Sequence, residues 1–245
     1  MTSHNDDDII IKNYSTIPQF IGTYELIVSI IDNTNSKKLK AKSQQLGFRY
    51  YSDEKIRGYG ANNNKNFSIL EVKKEDIFIV CNPDITINIE NFESLLDKFI
   101  KSNSDIYGVK VFESDDLTKW SSHNRSFPAL FDPITSLVFK KKLFENDVDV
   151  FAHPDWIGGA FMIFSPKSFI LLNGFDEDFF MYYEDTDICY RAKKLGMTTI
   201  YDPNFYIIHQ AQRAGRKLFS KSFFMNLKSM LTYFKKHPTF KLLSI

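Results

Sequence analysis

The chain of 245 residues carries 31 Lys and Arg against 30 Asp and Glu, is 43% hydrophobic and 25% charged, and holds 24 Phe and 12 Tyr but only 10 Gly and 8 Pro. That is the composition of a folded domain, and it excludes collagen-like, low-complexity and wholly disordered chains. The apolar stretches at 17–31 and 156–172 are broken by Glu25 and by Ser165-Pro166-Lys167, so neither offers the roughly 20 apolar residues of a membrane span.

The first eight residues are polar and acidic, the reverse of a signal peptide, so the expected location is the cytosol. Cys81 and Cys189 are too few for a disulfide scaffold and are expected to be reduced core residues. No acidic residue follows Asp202, whereas eight Lys and Arg do, from Arg213 to Lys241. A basic end on an acidic body predicts contact with something anionic, such as lipid head groups or a pyrophosphate-bearing substrate.

In chain order, the β-branched run 24–31 predicts a buried strand, closed by the turn-forming Asp32-Asn33-Thr34-Asn35-Ser36. Residues 57–64, Arg-Gly-Tyr-Gly-Ala-Asn-Asn-Asn, form a Gly-containing loop ahead of a helix start. A second strand spans 76–81 and ends in Asn82-Pro83-Asp84. Phe92, Leu95, Leu96 and Phe99 then mark one face of a helix over 90–101. A strand follows at 105–112, and periodicity is lost from 113 to 151.

From 156 to 164 the pattern is a strand with a Gly158-Gly159 step, and Ser165-Pro166 caps a short helix that Gly174 stops. Residues 184–195 predict a helix ended by Gly196. Short strands at 198–201 and 205–208 flank Asp202-Pro203. The last helix, 218–236, places Phe219, Phe223, Leu227, Met230 and Phe234 on one face. Strands alternating with helices predict an α/β fold with a mostly parallel sheet.

In such a sheet, ligands bind beyond the carboxyl ends of the strands. Asp32, Asn82, Asp84, the six carboxylates between Asp176 and Asp187, and His209 all fall there, where each alone is also an ordinary turn former or cap. The glycines at 58 and 60 allow backbone N–H groups to approach a phosphate, although neither GxGxxG nor a P-loop is present. The carboxylates interleaved with Phe179-Phe180-Met181-Tyr182-Tyr183 include plausible general bases, because apolar cover raises a carboxyl pKa. Asp84 and His209 are candidate ligands for a divalent ion.

Taken together, Asp32-Asn33, the 57–64 loop, Asn82-Pro83-Asp84, Trp156-Ile157-Gly158-Gly159-Ala160, Gly174-Phe175-Asp176-Glu177, Phe180-Met181-Tyr182-Tyr183-Glu184-Asp185-Thr186-Asp187 and His209 resemble family 2 glycosyltransferases. The bacterial rhamnosyltransferase-like branch is the nearest match, over about 24–209. The resemblance implies a GT-A fold, Rossmann-like with helices flanking the sheet. It also implies inverting transfer of a sugar, rhamnose from dTDP-rhamnose, out of a nucleoside diphosphate donor to a glycan or lipid-linked acceptor.

By the same resemblance Asp32, Arg57, Gly58, Asn63, Asn82 and Asp84 would bind the donor. Asp84 and His209 would hold Mg²⁺ or Mn²⁺, Asp185 would be the catalytic base, and Trp156, Gly158, Gly159 and Glu184 would line the sugar and acceptor site. Two departures stand out. Asn82 replaces the first acidic residue of the DXD motif, and only 9–14 precede the 24–31 strand, leaving little room for the family's first helix.

The resulting expectation is a catalytic domain over 1–210, shortened at its start, and a basic amphipathic extension over 211–245 that contacts a membrane surface. Nucleic acid is not an expected partner, and a homodimer is an expected assembly. The competing readings are a nucleotidyltransferase, which would carry a Gly-rich N-terminal phosphate loop, and a glycan-binding scaffold without turnover.

Overall fold

In the computed structural model, residues 1–53, 55–121, 124–129, 149–210 and 220–238 are described. The chain opens with strand β1 (Thr2–Ser3) and helix α1 (Asp7–Tyr14). A hairpin of β2 (Phe20–Ile21) and β3 (Tyr24–Glu25) follows, then β4 (Ser29–Asp32), α2 (Lys37–Leu46), β5 (Arg49–Tyr51) and α3 (Tyr59–Ile69). Next come β6 (Phe78–Cys81), β7 (Ile85–Ile87), α4 (Phe92–Ser102), β8 (Ile106–Phe112), β9 (Trp120–Ser121) and β10 (Asn124–Arg125). The last elements are β11 (Trp156–Ile157), β12 (Phe161–Phe164), α5 (Pro166–Leu171), α6 (Glu184–Lys194), β13 (Thr199–His209) and α7 (Lys221–Lys236).

The sheet is mixed. β4 pairs parallel with β1 and β5, and β13 parallel with β8. β12 runs antiparallel between β6 and β8, and β7 runs antiparallel to β13, giving the order β6-β12-β8-β13-β7. One apolar layer is built on Ile30, Leu39, Phe92, Leu96, Tyr107, Val109 and Phe161, with α4 presenting the four residues that its spacing predicts. The other contains Phe78, Phe164, Phe169 and Phe175, and Phe67 joins it 4.7 Å from Phe169. Each buried Phe contributes about 1.5–3 kcal/mol. Both cysteines are free and buried, and burial pushes their thiols up to about 11 and about 12.

Several expectations are corrected. The 24–31 run is no single strand: 24–25 turn back on β2, Leu26 N–H donates to Gln19 O, Ile27 is half exposed, and only 29–32 join the sheet. The first helix does exist, over Asp7–Tyr14, preceded by a strand of two residues that is too short to show a period. The 156–164 run splits at Gly158-Gly159-Ala160, because β11 pairs with β10 whereas β12 pairs with β6 and β8.

Conversely, the strands expected at 198–201 and 205–208 are one strand, Thr199–His209, in which a register shift between Asp202 and Tyr206 absorbs Pro203. The last helix buries Ser229 and Tyr233 most deeply and leaves Phe224, Leu227 and Leu231 exposed, so the face expected for packing is rotated. Of the 113–151 excursion, 130–148 lie outside the described residues, as do 211–219 and 239–245 of the extension. No helix among the described residues is long and apolar enough to cross a membrane.

Candidate functional site

Asp32 ends β4, and its buried carboxylate organises its own loop. It accepts from Thr34 N–H and Oγ1–H at 2.9 and 2.7 Å, from Ser36 N–H at 2.7 Å and from the Tyr50 hydroxyl at 2.8 Å. Burial pushes its pKa up, and these hydrogen bonds more than offset that, holding it below the usual value. Asn33 staples the next loop: its Oδ1 accepts from Arg57 N–H at 3.2 Å and its Nδ2 donates to Arg57 O at 3.1 Å. The Arg57 guanidinium is bidentate on Asp53, with both contacts at 2.6 Å. Asn63 is buried in α3 and donates to Tyr59 O at 3.0 Å, so its amide serves the helix.

Gly58 caps α3 where the chain touches the 180–183 turn. Tyr59 N–H donates to Phe180 O at 2.9 Å, and a Cβ on Gly58 would stand 2.6 Å from the Phe180 Cα and closer still to that oxygen. Both partners are backbone and cannot swing away. Gly58→Ala is therefore expected to cost about 2 kcal/mol, or about 5 °C in Tm by thermal unfolding; an unchanged Tm would refute the close approach.

Asn82, Asp84 and His209 converge from the ends of β6 and β13. His209 is in register with Ile85, which brings its Nε2 to 3.1 Å from Asp84 Oδ1 and 3.5 Å from Asn82 Nδ2. The turn is braced from α1, where Tyr14 hydroxyl donates to Asn82 O at 3.2 Å and Asn13 Nδ2 to Pro83 O at 3.3 Å. The helix expected to be missing is thus the one that supports this corner. Among the described residues no group of three His, Cys, Asp or Glu could hold a metal. A carboxylate and an imidazole nevertheless suit Mn²⁺ or Mg²⁺ when phosphate oxygens and water complete the shell.

Asp185 and Glu184 open α6. Asp185 Oδ2 accepts from Gly159 N–H and Oδ1 from Thr186 N–H, each at 2.7 Å. Gly159 is gripped from its other side by the Tyr59 hydroxyl, which donates to its carbonyl at 2.6 Å. A Cβ on Gly159 would come within 3.1 Å of Asp185 Cβ, so the glycine lets the strand end meet the helix. Burial raises the Asp185 pKa, and the two N–H groups and the Arg125 charge act against it. Burial, then the neighbouring Asp185 charge, raises Glu184, whose Oε2 is buried without a hydrogen-bond partner among the described residues. Tyr182 and Tyr183, just before the helix, both adopt left-handed backbone, φ 70° and 65°. Strain of this kind, about 1–3 kcal/mol per residue, collects at functional sites.

Trp156 Nε1–H donates to Ser126 O at 2.9 Å, and Arg125 Cζ lies 5.1 Å above its ring. Gly158 is buried in the turn beyond it. Arg125 is the charged residue that sequence reasoning missed. Its neighbours lack periodicity, and only the pairing of β10 with β11 reveals that it faces the Trp156 to Asp185 region.

No family model matches the chain. The chain is 30% identical over 241 residues to rhamnosyltransferase WbbL of Escherichia coli strain K12, covering 95% of this chain and 90% of that protein. It is 26% identical over 183 residues to the N-acetylglucosaminyl-diphospho-decaprenol L-rhamnosyltransferase of Mycobacterium tuberculosis strain H37Rv, 65% of this chain and 58% of that one. The crystal structure of GalNAc-T7 with UDP, GalNAc and Mn²⁺ superposes with a TM-score of 0.59 at 12% identity, over 84% of this chain and 41% of that chain. The similarity to the Escherichia coli protein runs through nearly the whole length of both: this chain belongs to the family 2 glycosyltransferases of GT-A fold, in the rhamnosyltransferase-like branch.

Proposed function

We propose that the protein transfers L-rhamnose from dTDP-rhamnose, with inversion, to a hydroxyl of a lipid-linked or polysaccharide acceptor at the cytosolic face of a membrane. The observation that carries this reading is the meeting of Asp84 and His209 at 3.1 Å, from positions far apart in the chain, beside Asn82 at the sheet edge. A divalent ion held by Asp84 and His209 would stabilise the charge that develops on the diphosphate leaving group.

The chain's own residues supply the rest. Asp185, fixed by Gly159 and Thr186 N–H groups, takes the proton of the acceptor hydroxyl as its oxygen attacks the anomeric carbon from the face opposite the diphosphate. One displacement needs no covalent nucleophile, and it inverts the centre. The Arg57 and Gly58 loop, Asn82 and Asp84 face the nucleotide, with Asp32 shaping the base pocket through its turn. Trp156, Gly158, Gly159 and Glu184 border the sugar and acceptor. Exposed Phe224, Leu227 and Leu231, interleaved with Lys221, Lys228 and Lys235 on α7, suit an anionic lipid surface.

Thermal shift with UDP, dTDP and GDP, each with and without Mn²⁺, tests the donor site. The expected result is Mn²⁺-dependent stabilisation by dTDP, about 2.7 kcal/mol at a hundred times its Kd, that is lost in Asp84→Asn. Stabilisation that persists in Asp84→Asn would remove Asp84 from the donor site, and no shift with any nucleotide would favour the scaffold reading.

A further inference from the structure

The last helix is latched to the helix that carries Asp185. Asp187 lies on the first turn of α6, and its side chain is 1% exposed. Its Oδ2 accepts from Arg191 Nε–H at 2.8 Å, and the same guanidinium donates to the carbonyls of Leu172 and Gly174. Its Oδ1 lies 2.7 Å from Nε2 of His237, the residue that ends α7. The imidazole packs against Tyr190 and edge-on against Tyr233, with ring centroids 4.2 and 5.0 Å away. Further up α7, Ser229 Oγ–H donates to Met181 O at 2.8 Å, and Tyr233 packs 5.5 Å from Tyr183.

These contacts bracket one short stretch. Met181 precedes the two left-handed residues, Tyr183 is the second of them, and Asp187 N–H donates to Tyr183 O at 2.8 Å to close the first helical turn. Consecutive left-handed tyrosines persist only where surrounding structure over-determines them. Much of that determination comes from α7. Asp185 sits inside the bracket, with its carboxylate aimed at Gly159 N–H.

We propose that His237 is a positioning residue for sugar transfer: by holding Asp187 from the C-terminal helix it fixes the first turn of α6, and with it the place of the Asp185 carboxylate. The catalytic part of this proposal rests on Asp185 being the base. The latch itself does not. It makes α7 a part of the catalytic body, so residues beyond 210 act on the chemistry as well as on any surface they touch.

The test uses the full chain with His237→Ala and His237→Gln, the latter able to return an N–H donor to the same carboxylate oxygen. Hydrogen exchange reads the latch without requiring turnover. Amides 184–188 are expected to exchange about tenfold faster in His237→Ala and at close to the wild-type rate in His237→Gln. With dTDP-rhamnose and a lipid-diphosphate N-acetylglucosamine acceptor, kcat should fall about tenfold to a hundredfold in His237→Ala, with dTDP and Mn²⁺ binding unchanged and with recovery in His237→Gln.

Unchanged exchange at 184–188 would overturn the latch. A fall in kcat matched by an equal loss of dTDP binding, or no recovery with Gln, would overturn the positioning role. If the wild-type protein itself transfers no sugar to any acceptor, the base reading fails, and the exchange result alone still decides whether His237 holds the turn.

Discussion

Asp185→Asn is expected to abolish sugar transfer while leaving nucleotide binding intact. The fall in kcat should be about 10²–10⁴-fold, the magnitude of a positioned general base, and the selectivity follows from the geometry. The amide oxygen of the replacement side chain can still accept from Gly159 or Thr186 N–H, which in the wild type hold the two carboxylate oxygens at 2.7 Å. The turn therefore keeps one of its two N–H anchors while the proton acceptor is lost.

The pH dependence has a defined sign. Burial raises the Asp185 pKa, so in the active protein kcat should climb with pH as the carboxylate ionises, on a limb displaced above the ordinary range for Asp. The Arg125 charge and the N–H groups of Gly159 and Thr186 limit that displacement. Single-turnover transfer in parallel with dTDP titration, for wild type and variant, reads both quantities. Equal loss of binding and turnover would reject the base assignment, and so would a variant that retains more than a few per cent of the wild-type rate.

The parts of this site legible in the sequence are those whose position at a strand end carries the information. Asn82-Pro83-Asp84 closes an apolar run and His209 ends another, and the two meet because β7, which follows Asp84 directly, pairs with the end of β13. Elements whose identity depends on partners are not legible. Residues 156–164 read as one strand, because nothing local says that Ile157 pairs with Asn124 while Phe161 pairs with Cys81. Thr2–Ser3 is too short to have a period, so nothing local marks β1, although Asn13 and Tyr14 of the helix that follows it brace the Asn82-Pro83-Asp84 corner. Pro203 argues for a break that a bulge on the sheet absorbs. Arg125 and His237 are hidden for the same reason: each acts through a residue distant in sequence, and composition around them says nothing of it.

Glu184 carries the second large prediction, because it is a carboxyl the fold tolerates at a cost. It is 6% exposed, with Oε2 lacking a hydrogen-bond partner among the described residues, beside the charge of Asp185. Burial first, and that neighbour second, raise its pKa from 4.5 to about 8. Because the folded value lies above the unfolded one, the native state retains a proton that the unfolded chain releases.

Stability therefore falls as pH rises from about 4.5 towards 8, and the full penalty is present above that window. Glu184→Gln cannot ionise. It should raise stability by on the order of 3 kcal/mol near pH 8, or roughly 6–12 °C in Tm for a chain of this size, and make little difference near pH 4.5. Below about pH 8 Glu184 keeps its proton and presents Asp185 with no like charge, so the acid limb of kcat should stay in place in the same variant. Thermal unfolding and transfer rate measured across that pH range decide it. A Tm gain that is the same at both ends of the window would mean that Gln simply packs better, and an acid limb that moves to lower pH would mean that Glu184 is charged where Asp185 titrates.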